Sequence, residues 1–424
     1  MEDKKKVLII TGTSFRDDTN NGKTLRTLFS KFESSELAQI YFSPETPNCA
    51  DCGSYYRVCE KQLIKSFFGL IQRKCGGEVY PRFENKKAER YNNRLVLSKG
   101  KTSMLLLREL LWDISFWKNN SLKTWLDNVS PSVIFAFLPG NKKTAKFISW
   151  VAKRYSCKVV MLVTDDHYND YVENPSFIRK LRYRRMQRAI DEAAKFSDVI
   201  LGCSELTAIE YGKLFNLTSE AVFTPSSARF LNMQLKEQRD APVVFRYFGN
   251  VELERWKTLA DIGKAIKECN EAGQKAKLEI YTSLENEDIK KALTIDGACQ
   301  YKGYVQGEEF YNLLQEADVA VHVESFSPKM MRYTRLSVST KIADYLGAGK
   351  CILAVGPANL ASISHIEEAS LSVNDCNQIT EAIQRLIANP EYRFALQEKA
   401  RALSEEAHNV EKIGIRMREI LFGE

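Results

Sequence analysis

Short apolar runs recur along this chain, and each is followed by a stretch with helical periodicity. The first series comprises Val7–Ile10, Gln39–Phe42, Val133–Phe137, Val159–Val163, Val199–Leu201 and Ala221–Phe223, interrupted by helical segments such as Lys142–Arg154. A second comprises Val243–Phe248, Lys277–Tyr281, Gln300–Val305, Val319–Val323 and Cys351–Val355. Those of the runs that lack polar alternation, such as Val319–Val323 and Cys351–Val355, read as strands buried on both faces. Alternation with helices makes the sheets parallel and covers them on both sides. Between the two series, in Asn232–Pro242, the apolar pattern lapses. A chain of 424 residues exceeds one ordinary core and divides naturally into two domains of about 200 residues. The expected organisation is α/β: a doubly wound domain over 1–232, a linker over 233–242, a second doubly wound domain over 243–400, and charged helices over 401–424.

Ligands of such sheets bind beyond the carboxyl ends of the strands. The richest stretch in that position is Asp318–Pro357, which reads as strand, polar loop, helix and strand. Ser339 and Thr340 are capping hydroxyls at the helix start, Lys341 follows, and Gly347 and Gly349 stop the helix. Hydroxyls and a lysine beside unpaired backbone N–H groups suit a phosphate. Asp344, one turn further in, suits ribose hydroxyls, so the stretch can grip a nucleotide diphosphate. In the turn after Phe248, Arg255 and Lys257 stand near the next helix start, where a guanidinium meets a diphosphate well. In the first domain, Gly22 begins a helix and admits close approach of a ligand, with a plain helix cap as the alternative. The loop after Val163 carries Asp165, Asp166 and His167, groups able to orient sugar hydroxyls or handle a proton, or simply to solvate an acidic loop.

Other classes are disfavoured. Glycines after Gly12 fail the G-x-G-x-x-G spacing, which counts against a nicotinamide enzyme. The segment Met104–Trp117 is broken by Arg108, Glu109 and Asp113 and does not span about 30 Å of hydrocarbon. Its Leu106, Leu110, Ile114 and Trp117 fall at helical spacing and read as core. No leader with a long apolar core opens the sequence, so the expected location is cytoplasmic. Ten cysteines are then free thiols. Cys49 and Cys52 have the spacing of a zinc-ligand pair, but no second pair follows Cys59 and Cys75 at the usual interval. The net charge of +7 suits phosphate ligands or an anionic membrane without requiring nucleic acid. Much of it crowds Ser176–Phe196, where Arg179, Lys180, Arg182, Arg184, Arg185 and Arg188 surround an apolar stripe of Ile178, Leu181, Met186, Ala189 and Ile190. That pattern fits contact with anionic lipid headgroups or a solvated basic face.

The run STKIADYLGAGKCILAVG resembles the C-terminal motif of glycosyltransferase family 4, retaining enzymes of the GT-B fold, with two Rossmann-like domains facing a cleft. YFGN followed by Arg255 is similar to that family's diphosphate turn, KGYV with Tyr304 to its base-side loop, NNG with Gly22 to its glycine loop, and CSELTAIEYGKLFN to its strand and helix before the linker. The resemblance implies that Asp344 matches the glutamate that binds the donor ribose. The family's other glutamate falls at Leu336, a departure that leaves Glu324 as the nearest acidic candidate. Asn250 stands where an arginine is common, and Asp165 and Asp166 occupy the places of a His-Asp pair. The implied function is retaining transfer of a sugar from a nucleotide diphosphate sugar, UDP- or GDP-linked, to a hydroxyl of a glycan or lipid-linked acceptor in bacterial surface polysaccharide synthesis. Arg255, Lys341 and Glu324 are the implied catalytic groups. Gly22, Asn250, Tyr304, Ser339, Thr340 and Asp344 are the implied donor contacts. No metal or other cofactor and no nucleic acid enters, and the basic helix Arg179 to Arg188 would meet the inner membrane face. A nucleotide-sugar epimerase, a non-catalytic subunit of a glycan-assembly complex and a nicotinamide oxidoreductase are the alternatives.

Overall fold

The computed structural model describes residues 5–69, 75–82, 102–114, 117–169, 172–230, 233–236 and 242–423. It divides into two compact units, one of residues 1–222 with 414–424 and the other of residues 223–413. Half of the expected linker, residues 237–241, lies outside the described residues. Its described part, Met233 to Lys236, is bonded within the second unit, where Gln397 and Arg401 hold the backbone at Lys236 and Met233. The chain re-enters the first unit within its last helix, Val410–Phe422, where Arg418 pairs with Glu36 and Phe422 packs on Phe32.

The first unit is built on eight strands: β1 (Val7–Thr11), β2 (Leu37–Tyr41), β3 (Ser54–Val58), β4 (Gly76–Glu78), β5 (Val133–Phe137), β6 (Lys158–Val163), β7 (Ser197–Gly202) and β8 (Thr218–Ala221). Their order is β4-β3-β2-β1-β5-β6-β7-β8, and only the β3–β4 pair is antiparallel. The second sheet contains β9 (Val243–Phe248), β10 (Ala276–Tyr281), β11 (Cys299–Gly303), β12 (Val319–Val323), β13 (Cys351–Val355) and β14 (Leu371–Val373), in the order β11-β10-β9-β12-β13-β14 and wholly parallel. The central strands β1, β12 and β13 are buried at every position, which is why they read as unbroken apolar runs.

In each sheet the order reverses once, between β1 and β5 in the first and between β9 and β12 in the second. At such a point the loops leaving two neighbouring strands diverge to opposite faces and open a crevice. Two expectations about helices need correction. In the helix Thr102–Asp113 and just beyond it, Leu110 and Ile114 are exposed, not core. In the helix Phe177–Ala194 the apolar stripe is split: Met186, Ala189 and Ile190 are buried, while Ile178 and Leu181 face solvent.

Candidate active site

The crevice of the second sheet is formed by the loops that follow Phe248 and Val323. After Phe248 the chain runs through Gly249–Glu254 before the helix Arg255–Glu271. Asn250 accepts from the Glu252 N–H and donates to the Glu252 carboxylate, and the Tyr247 hydroxyl donates to the Asn250 carbonyl. Leu253 and Glu254 then both adopt left-handed backbone, at φ 55° and 61°. That conformation costs a non-glycine residue about 1–3 kcal/mol, and such strain concentrates at functional loops. Its effect is to start the helix at Arg255 and aim that side chain along the end of β12.

Glu324 is the first residue beyond β12 and is 2% exposed. Both of its carboxylate oxygens accept from Arg255, from Nη2 at 2.8 Å and Nε at 3.0 Å. Thr258, one turn into the arginine's own helix, donates to the Glu324 carbonyl at 3.0 Å. Burial pushes the Glu324 carboxyl up while the guanidinium pulls against it, and Arg255 is in turn held charged by the carboxylate. The Arg255 Nη1 makes no hydrogen bond among the described residues. Because a guanidinium presents five N–H donors in a planar fork, the edge turned away from Glu324 remains able to take a phosphate.

Beneath the pair lies a residue that sequence reasoning missed. His322 is 5% exposed, and its Nε2 has no hydrogen-bond partner and stands 3.8 Å from the Glu324 carboxylate. Burial, with Arg255 nearby, lowers its pKa to about 3, so the ring is neutral. Its position two residues before Glu324 on the same strand face was the available signal.

The helix Thr340–Gly347 is tied to the same crevice. Ser339 caps it, accepting from the Lys341 N–H at 3.4 Å. The Tyr345 hydroxyl is held between the backbone N–H and carbonyl of Phe248, at 3.2 and 3.4 Å, which pins this helix to the carboxyl end of β9. Lys341 Nζ lies 3.9 Å from the Phe310 ring centroid and 3.8 Å from the Asp344 carboxylate, and Phe310 packs on Phe248. Arg255, Glu324, Ser339, Thr340, Lys341 and Asp344 therefore gather about the ends of β9 and β12. Tyr304 stands apart on the loop after β11, 63% exposed, with its hydroxyl on Gln306. Leu336 is buried, so no side chain there replaces a carboxylate.

In the first unit, Gly22 lies in the first turn of the helix Asn20–Leu28, capped by Thr19. A Cβ on it would stand 2.5 Å from the Arg16 carbonyl oxygen, so the close approach is made by the chain itself rather than left open for a ligand. The loop after β6 separates its three polar residues by role. Asp166 accepts from the Tyr211 hydroxyl at 2.6 Å and from the Asn169 side chain at 3.0 Å, which makes it a brace of the loop. Asp165 and His167 are exposed. The His167 ring lies over Gly140, just beyond β5, where a Cβ would come within 3.1 Å of it. His167 is thus presented at the carboxyl ends of β5 and β6, beside the reversal of strand order. Cys49, Cys52 and Cys75 are buried free thiols, and among the described residues no three His, Cys, Asp or Glu side chains gather as a metal site.

Residues 229–421 match a family model described as glycosyl transferase-like. No curated protein sequence matches the chain. Similar solved structures include the UDP-forming α,α-trehalose-phosphate synthase of Burkholderia xenovorans, at 10% identity and TM-score 0.60 over 98% of this chain and 100% of that one. TarM aligns at 11% identity and TM-score 0.60, covering 98% of both chains. WaaG, a glycosyltransferase involved in lipopolysaccharide biosynthesis, aligns at 12% identity and TM-score 0.54, over 99% of this chain and 100% of that one. Residues 229–421 thus match a glycosyl transferase-like family model, within a chain whose two doubly wound sheets have the GT-B fold.

Proposed function

We propose that the protein is a retaining glycosyltransferase that moves a sugar from a nucleotide diphosphate sugar, UDP- or GDP-linked, to a hydroxyl of a glycan or lipid-linked acceptor. The observation that carries this reading is Arg255, fixed by Glu324 at the reversal of strand order in the second sheet with one donor edge unused. Departure of a nucleotide diphosphate builds negative charge on its phosphate oxygens. Cations already oriented in a site that excludes water stabilise that charge more strongly than any other device a protein has. Arg255 supplies a bidentate edge, Lys341 an ammonium, and Ser339 with Thr340 the hydroxyls and N–H groups of a helix start. Glu324 acts through Arg255 by holding it in place. Asp344, on the inner turns of the same helix, is the ribose ligand, and Tyr304 a surface for the base.

In this reading the leaving phosphate takes the acceptor's proton on the same face, so no carboxylate nucleophile, metal or further cofactor is called upon. His167 orients the acceptor hydroxyl. A lipid-linked acceptor would bring the protein to the inner face of an anionic membrane, as a step of surface polysaccharide synthesis. The test is a panel of nucleotide sugars scored by thermal stabilisation, since a ligand bound to the native state raises its stability by mass action. Incubating the stabilising donor with and without acceptor should give a product of retained anomeric configuration. Stabilisation by no nucleotide sugar would defeat the proposal, and an isomerised donor without acceptor would make the protein an epimerase.

A further inference from the structure

The helix Phe177–Ala194 carries no acidic residue until Asp191, and its first fourteen residues hold Arg179, Lys180, Arg182, Arg184, Arg185 and Arg188. These cations do not share one environment. Arg182 bonds Glu109 at 2.7 Å and Arg185 bonds Asp113 at 2.6 Å, both on the helix Thr102–Asp113. Asp113 also receives Lys142 at 2.6 Å and Lys146 at 2.5 Å. At least two of the six guanidinium and ammonium groups, Arg182 and Arg185, therefore serve to join helices.

Lys180, Arg184 and Arg188 are exposed, as are Phe177, Ile178 and Leu181. Phe177, Leu181, Arg184 and Arg188 follow one another at spacings of four, three and four, which puts them in a single row on the helix surface. The row begins apolar and continues basic. Phe177 is 79% exposed, an extreme for a phenylalanine, with Ile178 next to it and Leu181 one turn on. On the partner helix and just past its end, Leu110 and Ile114 are 41% and 48% exposed, each next in sequence to a carboxylate that receives one of the inward arginines. The ion pairs thus join two helices that each turn large apolar side chains to solvent. A merely solvated basic face has no use for them.

We propose that this surface of the first unit, Phe177, Ile178 and Leu181 with Leu110 and Ile114, flanked by Lys180, Arg184 and Arg188, docks on an anionic lipid bilayer. The apolar side chains enter the boundary between headgroups and acyl chains, and the cations meet lipid phosphates. A second copy of the chain is the poorer occupant. A symmetric contact would set this helix near its own image, cation against cation, with no acid over fourteen residues to relieve it. The proposal extends the lipid-linked acceptor of the functional reading and takes its purpose from it, but its test needs neither donor nor acceptor.

Cosedimentation of the whole protein with vesicles decides it. Binding is expected to an equal mixture of phosphatidylglycerol and phosphatidylcholine at low salt, and not to phosphatidylcholine alone. Phe177→Glu with Leu181→Glu should weaken binding about a hundredfold, because two anchoring side chains are lost. Lys180→Glu with Arg184→Glu should weaken it at least about twenty-fivefold, since each surface cation contributes about fivefold, and high salt should erase that difference. Ile209→Glu, at an exposed apolar position on the helix Glu205–Phe215, should bind as the parent does. Failure of the parent protein to bind anionic vesicles overturns the proposal. So does equal binding by the Phe177/Leu181 variant, equal loss in Ile209→Glu, or a solution dimer that Phe177→Glu dissolves. Transfer to a soluble acceptor without vesicle binding would remove the surface and leave the transferase chemistry standing. Vesicle binding without nucleotide-sugar binding would do the reverse.

Discussion

Removing Arg255 tests the donor site and the fold together, and the two effects separate by pH. In Arg255→Ala, Glu324, 2% exposed in the parent, keeps its Ser362 contact at 3.5 Å but loses both strong donors. Breaking a buried ion pair from one side typically costs about 3–5 kcal/mol. Arg255 itself is 19% exposed, so water relieves part of the loss, and about 2–3 kcal/mol is expected near neutral pH. For a unit of this size that is a fall in melting temperature of roughly 4–12 °C. The pH dependence follows from the stranded carboxyl. Without Arg255, burial alone acts on Glu324 and raises its folded-state pKa above the unfolded value. The folded state then holds the proton more tightly, and stability present below the unfolded pKa is lost as pH rises through the folded one. The deficit of Arg255→Ala relative to the parent should therefore be smaller at pH 5 than at pH 8. Turnover with donor should fall about a hundredfold or more, as for loss of an oriented charge at the leaving group. The double variant Arg255→Met, Glu324→Leu should recover most of the stability and none of the activity, because an apolar pair replaces the ions without leaving either one unpaired. Melting curves at the two pH values and initial rates with the stabilising donor are the measurements. Turnover within threefold of the parent would remove Arg255 from the mechanism, and a pH-independent deficit would refute the account of Glu324.

Asp344→Ala should weaken nucleotide binding about tenfold while leaving the melting temperature of the free protein nearly unchanged, the usual scale for one hydrogen bond to a charged group; equal affinity by calorimetry would end the ribose assignment. His167→Ala should slow transfer to acceptor while donor affinity stays the same, and a proportional loss of donor affinity would count against an acceptor-side role. His322 and His408 are 5% and 1% exposed and held neutral, with pKa values lowered to about 3 and about 4. The unfolded chain binds protons there that the folded one refuses, so stability is full above the ordinary histidine range and falls as pH drops from about 6.5 toward 4, by up to about 1.4 kcal/mol per pH unit for each ring. Urea midpoints that do not change between pH 7 and pH 5 would contradict that.

The architecture was legible because buried parallel strands have few alternatives. Val133–Phe137, Val243–Phe248, Val319–Val323 and Cys351–Val355 are strands over the residues that the apolar runs marked. The strands missed were Ser54–Val58, Gly76–Glu78 and Leu371–Val373, all at or near sheet edges. Edge strands carry tyrosine, arginine, glycine or serine where central ones carry valine and isoleucine, and three-residue strands leave no period to detect. The strand read at Ala221–Phe223 lies instead at Thr218–Ala221, because the residues of β8 are polar and only partly buried. Helical faces were less legible than strands. Leu106, Leu110, Ile114 and Trp117 share a period, yet a period says which residues share a face and not whether anything covers it.

Within the site the same distinction holds between what a residue can do and what stands next to it. Ser339 as a cap and Arg255 at a helix start follow from local sequence, because both depend on backbone geometry a few residues away. The partner of Arg255 does not. Glu324 is 69 residues further along the chain and meets Arg255 only because β9 and β12 are neighbours, an order that no spacing in the sequence encodes. Gly22 shows the converse case. A glycine at a helix start fits a ligand's approach and the chain's own equally well, and the backbone of Arg16 decides it. His322 had no visible role while β12 was only an apolar run. Once β12 is central, a histidine there is a buried polar group without a partner beside the Arg255–Glu324 pair. Leaving such a group unsatisfied costs about 1–3 kcal/mol. A donor phosphate on the unused edge of Arg255 would share the cation with Glu324, and the neutral ring at 3.8 Å is then the group placed to donate to that carboxylate. The donor site and the core of the second sheet are on this account coupled through one side chain, so His322→Phe should alter donor affinity and its pH dependence more than it alters the fold.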